Sequence, residues 1–185
     1  MLGGTFDPIH LGHLRAAEAA RESLALGAVW FVPAGRPPHK REPVAPALDR
    51  FAMVSLATAE QPGFVASDLE LRREGPSYTV DTVAAVRAER PDDELFLIVG
   101  SDTLPEMAAW KEPERLFALC AIGVVARPGA AALAPVPGQR VSRVGGPCLP
   151  VSASEVRQLL KARRSARYLV PPPVADYIEK RGLYL

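Results

Sequence analysis

The sequence predicts an α/β protein: a doubly wound parallel sheet with helices on both faces. Two observations predict it. Short unbroken apolar runs, AVWFVP at 28–33 and ELFLIV at 94–99 foremost, have the character of strands buried on both sides. Helix-period segments stand between successive runs, the order that parallel crossovers require. In such sheets ligands lie beyond the carboxyl ends of the strands, where the strand order reverses.

The elements follow in order. Gly3-Gly4-Thr5-Phe6-Asp7-Pro8 is a loop, since paired glycines and Asp-Pro turn the chain sharply. The Ala- and Leu-rich run from Leu14 to Leu26 reads as a helix with Gly27 as its C-cap. Ala28 to Pro33 is the next strand, and Ala34 to Arg41, with two prolines, must be loop. Leu48 to Glu60 returns to helical spacing through Phe51, Val54 and Leu56, and Gly63 to Ser67 is a short strand. Thr79 to Arg90 is a helix with Ser77 or Thr79 as its cap, ended by Pro91. Glu94 to Val99 is the clearest strand, closed by Gly100-Ser101-Asp102. Helical stretches through Met107 and Trp110 and around Leu116 precede a strand at 121–126. Residues 128–138 are rich in Pro, Gly and Ala and read as loop. Val141 to Val144 and Cys148 to Val151 give a last short strand or extended stretch, then Ser154 to Arg164 is helix. Three prolines at 171–173 interrupt the chain before a helix over 174–181, with Gly182 behind it. No repeat or linker divides the chain, so one domain over 1–185 is expected.

Composition narrows the function classes. With 185 residues, 48% hydrophobic and a net charge of +1, the chain lacks the basic excess of a nucleic-acid or membrane-surface binder. No apolar run approaches a membrane span, and the start lacks the basic-then-apolar order of a signal peptide. Cys120 and Cys148 have neither metal nor redox spacing, so the cytoplasm is the expected compartment.

The opening loop carries the chemistry. A helix behind a glycine turn aims free N–H groups and the positive end of its dipole forward, which outlines a phosphate site. His10 and His13 are three apart and fall on one face of the first helical turn. Two imidazoles there can donate to phosphate oxygens and meet charge that grows in a transition state. The stretch closely resembles the T/HxGH signature of the nucleotidyltransferase superfamily, and GGTFDPIHLGHL at 3–14 resembles the nicotinate mononucleotide adenylyltransferases in particular. The likeness extends to the closing YLVPPPVADYIEKRGLYL and is weakest over 128–145. It implies a Rossmann-like fold with a full central strand before the glycine loop, where only Met1 and Leu2 stand. Either that strand is cut short or the given start is late. The second is expected, because losing most of a central strand leaves backbone groups unpaired.

The other sites follow from the same resemblance. PPHK at 37–40 resembles the segment that faces the mononucleotide, with His39 beside it and Lys40 near its phosphate. On the residues alone a solvated loop is the lesser alternative. VSASEVR at 151–157 fits a capping box, Ser152 with Glu155, and also an anion site with Arg157 one turn in. It resembles the family's ISSTxIR motif, which cradles the ATP β and γ phosphates. Ala153 stands where a serine is usual and Ser154 replaces threonine, so roles pass to Ser152, Ser154 and Arg157 alone. PSYTVDT at 76–82 resembles the acceptor motif, with Thr79 on the pyridine carboxylate and Trp110 stacked on the ring. Asp102 matches the family's GSD position toward the ribose, and Arg127 closes the next strand within reach of a phosphate. Lys161, Arg163, Arg164 and Arg167 read as a solvated helix end.

The resemblance therefore implies catalytic His10, His13 and Arg157, with Gly3, Gly4, Thr5, Phe6, Asp102, Ser152 and Ser154 also contacting ATP. The acceptor side takes His39, Lys40, Thr79, Trp110 and Arg127. The implied reaction transfers the adenylyl group of ATP to nicotinate mononucleotide, with Mg²⁺ carried on the ATP phosphates and no protein metal ligands. Small molecules are then the partners, with oligomeric state open, a homo-oligomer included. A pantetheine-phosphate adenylyltransferase and a non-catalytic nucleotide-binding sensor are the alternatives. The first would lack the Thr79–Trp110 pairing; the second would bind ATP without turnover.

Overall fold

The computed structural model describes residues 1–38, 43–126 and 139–185. Its sheet has six strands, all neighbours parallel: β1 (Leu2–Gly4), β2 (Val29–Pro33), β3 (Phe64–Ala66), β4 (Phe96–Gly100), β5 (Ala121–Val125) and β6 (Val141–Val144). Their order is β3-β2-β1-β4-β5-β6, so the chain reverses direction across the sheet between β1 and β4. The sequence expectation of a doubly wound parallel sheet holds. Although β1 is only three residues long, it pairs with β2 along its whole length and with Ile98 of β4 through Leu2.

Among the described residues six helices flank the sheet: α1 (Leu11–Ser23), α2 (Ala47–Thr58), α3 (Thr79–Glu89), α4 (Pro113–Leu119), α5 (Ala153–Lys161) and α6 (Pro172–Arg181). A 3₁₀ segment, Leu104–Ala109, precedes α4. The pleat of β4 shows how two cores arise: successive side chains of a strand point to opposite faces. Ile98 joins a cluster with Ala17 and Ala20 of α1, Met53 and Val54 of α2, Val156 of α5 and Val174 and Ile178 of α6. Leu97 and Val99 join Val80 and Val83 of α3 and Leu116 of α4. Burying such side chains contributes roughly 1.5–3 kcal/mol each.

Several element ends differ from the sequence expectation. The first helix begins at Leu11 with His10 as N-cap, three residues earlier than its apolar pattern. It ends at Ser23, not at a Gly27 cap: Leu26 donates to the Arg21 carbonyl and Ala25 takes φ 50°. Those bonds satisfy the last carbonyls with alanine in the left-handed position that glycine usually fills. Neither Ser77 nor Thr79 caps α3; Tyr78 holds the N-cap position without a side-chain bond. The stretch through Met107 is 3₁₀ rather than α, and Cys148–Val151 forms no strand. The last helix takes Pro172 and Pro173 into its first turn, where a missing N–H costs nothing. Among the described residues no helix is long and apolar enough to cross a membrane.

Candidate active site

β1, β2 and β4 are parallel, so the loops after Gly4, Pro33 and Gly100 open on one sheet edge, at the point where the strand order reverses. The loop after Gly4 is pinned from inside. Phe6, at φ 49°, drops its ring into the core, 2% exposed, edge-on to His13 with centroids 5.0 Å apart. What Phe6 can offer a ligand is therefore backbone. Gly4 lies directly over that ring: a Cβ there would stand 3.3 Å from it.

His10 and His13 are together. Their rings stack with centroids 3.6 Å apart and planes 24° from parallel. The backbone N–H of His10 donates to Nδ1 of His13 at 3.2 Å. An Nδ1 that accepts must carry no proton, so in the neutral ring the proton sits on Nε2, which makes that atom a donor. His10 is buried, with 6% exposed, whereas His13 is half-buried.

The second motif arrives from 150 residues away. Arg157 Nη1 donates to the carbonyl of Asp7 at 2.6 Å, and Nη2 donates to Ser154 Oγ at 3.2 Å. The N-terminus of α5 is thus fastened beside the histidine loop, and a Leu149 carbonyl just ahead of it lies 3.2 Å from where a Cβ on Gly12 would stand. Ser152 works first as a cap: its Oγ accepts from the Glu155 N–H at 3.2 Å and donates to Glu155 Oε2 at 2.8 Å. Free N–H groups of the first turn and the Arg157 guanidinium make this end of α5 attractive to an anion.

The acceptor-side residues form a second group. Ser77, just before Tyr78 and Thr79, accepts from the Arg36 N–H and returns its own N–H to the Arg36 carbonyl. The PSYT turn is thereby joined to the loop after β2. Thr79 opens α3 half-exposed. Trp110 is half-buried against the cluster of α3 and α4, as Tyr78 is, so it is partly a packing residue. Lys111 stands over the Tyr78 ring, 4.6 Å from its centroid, and pairs with Asp81 at 3.0 Å. Asp102 is exposed beyond β4, on the same sheet edge. His39, Lys40 and Arg127 lie outside the described residues.

Three residues that the sequence reading passed over organise this loop. Asp7, 5% exposed, accepts from the N–H groups of Val44 (2.8 Å) and Ala45 (3.0 Å) and from the Tyr184 hydroxyl (2.7 Å). Arg50, 1% exposed, donates Nη1 to the Thr5 carbonyl at 2.7 Å and Nε to Ala45 at 3.2 Å. Burial lowers its pKa, and the Asp7 carboxylate opposes that shift. Tyr184 is held protonated by burial and by its bond to Asp7. Arg50 was findable: it shares the helical stripe of Met53, Val54 and Thr58, an unusual place for an arginine.

Comparison with known proteins gives the chain's family and fold. The sequence model of the Cytidylyltransferase-like family matches residues 1–159. A Thermus thermophilus protein named "Probable nicotinate-nucleotide adenylyltransferase" is 52% identical, over 100% of this chain and 97% of its own length. A Geobacter metallireducens protein of the same name is 45% identical, over 100% of this chain and 96% of its own. Among solved structures, Plasmodium falciparum nicotinic acid mononucleotide adenylyltransferase complexed with NaAD superposes with a TM-score of 0.79. It is 21% identical and the match covers 99% of this chain and 95% of that one, a likeness of fold.

Proposed function

Because the chain belongs to the nicotinate-nucleotide adenylyltransferases of the Cytidylyltransferase-like family, we propose that the His10–His13 loop and the start of α5 are its ATP site. The chain is an enzyme of NAD biosynthesis. It transfers the adenylyl group of ATP to nicotinate mononucleotide, giving nicotinate adenine dinucleotide and pyrophosphate.

The observation that carries the site assignment is the 2.6 Å bond from Arg157 to the Asp7 carbonyl, which fastens two anion-seeking elements side by side. The mononucleotide phosphate is already ionised and attacks the α-phosphorus in line, so no general base is required. Catalysis rests on positioning and on charge stabilisation. His13, with Nε2 as donor, and His10 beside it meet the charge growing on the α-phosphate; the Gly3, Gly4, Thr5 and Phe6 backbone flanks it. Ser154 and Arg157 hold the departing pyrophosphate, with Ser152 shaping the turn. Asp102 takes the ATP ribose. Thr79, Trp110, His39, Lys40 and Arg127 receive the acceptor. Among the described residues no group of three His, Cys, Asp or Glu side chains could hold a metal ion. We assign Mg²⁺ to the ATP phosphates, as part of the substrate. One domain over 1–185, working in the cytoplasm on small molecules alone, belongs to the same reading.

The test is pyrophosphate release with ATP and Mg²⁺ against three acceptors in parallel: nicotinate mononucleotide, nicotinamide mononucleotide and phosphopantetheine. A strong preference for the first is expected. Preference for phosphopantetheine would overturn the acceptor half, and release with none would leave a nucleotide sensor.

A further inference from the structure

We propose that Tyr184 is a positioning residue for adenylyl transfer, acting through Asp7. The inference rests on the reading of the His10–Arg157 site given above. Asp7 is the knot of the site. Its carboxylate, nearly dry, holds the backbone of Val44 and Ala45, while its carbonyl holds Arg157. Arg157 Nη1 also lies 3.9 Å from Oδ2. Asp7 is three residues before His10, so a shift of its backbone moves the histidine loop and the guanidinium together.

A buried carboxylate keeps one orientation only if its lone pairs are met by donors. Oδ2 is met by Val44; Oδ1 by Ala45 and the Tyr184 hydroxyl. The tyrosine donor comes from the far end of the sequence, and the fold takes care to deliver it. Gly182, at φ 63°, reverses the chain after α6, and Leu183 closes the turn on the Ile178 carbonyl. Helix α6 itself is fixed to α2: the Tyr177 hydroxyl and Arg181 Nε both donate to Asp49 Oδ1, at 2.8 and 3.2 Å. The neighbouring residue, Arg50, donates to Thr5 and Ala45, on either side of the same knot. Two routes from α6 thus converge on residues 5–7. Without the Tyr184 hydroxyl, Val44 and Ala45 still hold one carboxylate oxygen each, but Oδ1 loses the donor that fixes it from the α6 side, and the carboxylate relaxes within that frame, shifting its 3.9 Å contact with Arg157 Nη1.

Tyr184→Phe keeps the buried ring and deletes only the donor; Asp7→Asn keeps the shape and deletes the charge. Each single variant and the double variant are assayed for pyrophosphate release with ATP, Mg²⁺ and nicotinate mononucleotide, below their melting midpoints. Tyr184→Phe is expected to lose about tenfold, and the loss to sit in kcat. The double variant should be no slower than Asp7→Asn, because the hydroxyl acts only through the carboxylate. A lowered midpoint with unchanged kcat overturns the proposal, as do losses that simply multiply. Wild-type turnover in the same assay keeps the two readings apart. An inactive wild type strikes at adenylyl transfer, whereas an active wild type equalled by Tyr184→Phe strikes at positioning alone.

Discussion

Gly12 and His10 leave no room between them. A Cβ on Gly12 would stand 3.0 Å from His10 Nδ1, with the Leu149 carbonyl 3.2 Å away. Gly12 lies inside α1 and needs no unusual backbone angle. Its smallness serves the imidazole, which lies close against the first turn of the helix it precedes.

Gly12→Ala therefore sets two effects against each other. Alanine favours a helix by about 1 kcal/mol over glycine, while the methyl group pushes the His10 ring out of register. We expect a melting temperature within a few degrees of wild type and a several-fold lower kcat, since the ring must give by a few tenths of an ångström and a full ångström costs about 10²-fold. Thermal melts and pyrophosphate release measured on one preparation check it; an equal kcat would remove His10 from the mechanism.

His13 has two jobs that substitution can separate. Asn places an oxygen near Nδ1 and can still accept the His10 N–H, but offers nothing at the Nε2 position. Gln does the reverse. Losing one aimed donor costs about 10²–10³ in kcat, so His13→Asn should fold like wild type and turn over poorly. His13→Gln should retain more activity and melt lower. The opposite ranking would make His13 a cap and no more.

Tyr184 and Tyr177 make stability fall in alkali. Their hydroxyls are held protonated by burial first, then by hydrogen bonds to Asp7 and Asp49 and by the charge of those carboxylates. A tyrosine in the unfolded chain ionises near its ordinary value of 10.0. Above that pH the unfolded state releases protons that the native state keeps, so folding free energy declines as pH rises toward the folded pKa values; below it the contribution is complete. Urea midpoints from pH 8 to 12 should drop above pH 10, and the drop should be smaller in Tyr184→Phe. Equal slopes would mean that the Tyr184 phenol is not held protonated by the fold.

The sheet and the loop that feeds the first helix were legible because they rest on local rules. ELFLIV announces a buried strand, and Gly-Gly followed by His-x-Gly-His announces a loop feeding a helix. Helix ends were less legible. Gly27 looked like a cap, yet the chain had already turned at Ala25, because the contacts of Leu24 and Leu26 outweigh the left-handed cost of an alanine. Asp7, Arg50 and Tyr184 were the hardest. Asp-Pro reads as a turn, and nothing local says that its carboxylate waits for a hydroxyl 177 residues away.

That separation gives the order of synthesis a meaning. The histidine loop leaves the ribosome well before Tyr184 does, and the bond between residues 7 and 184 closes a loop 177 residues long. A nascent protein can therefore lay down its sheet and both histidines and still lack the donor that steadies Asp7. On this geometry, competence to turn over substrate waits for the residues that follow α6. A chain that stops short of residue 184 would keep its recognisable sequence motifs and lose much of the precision that makes them work.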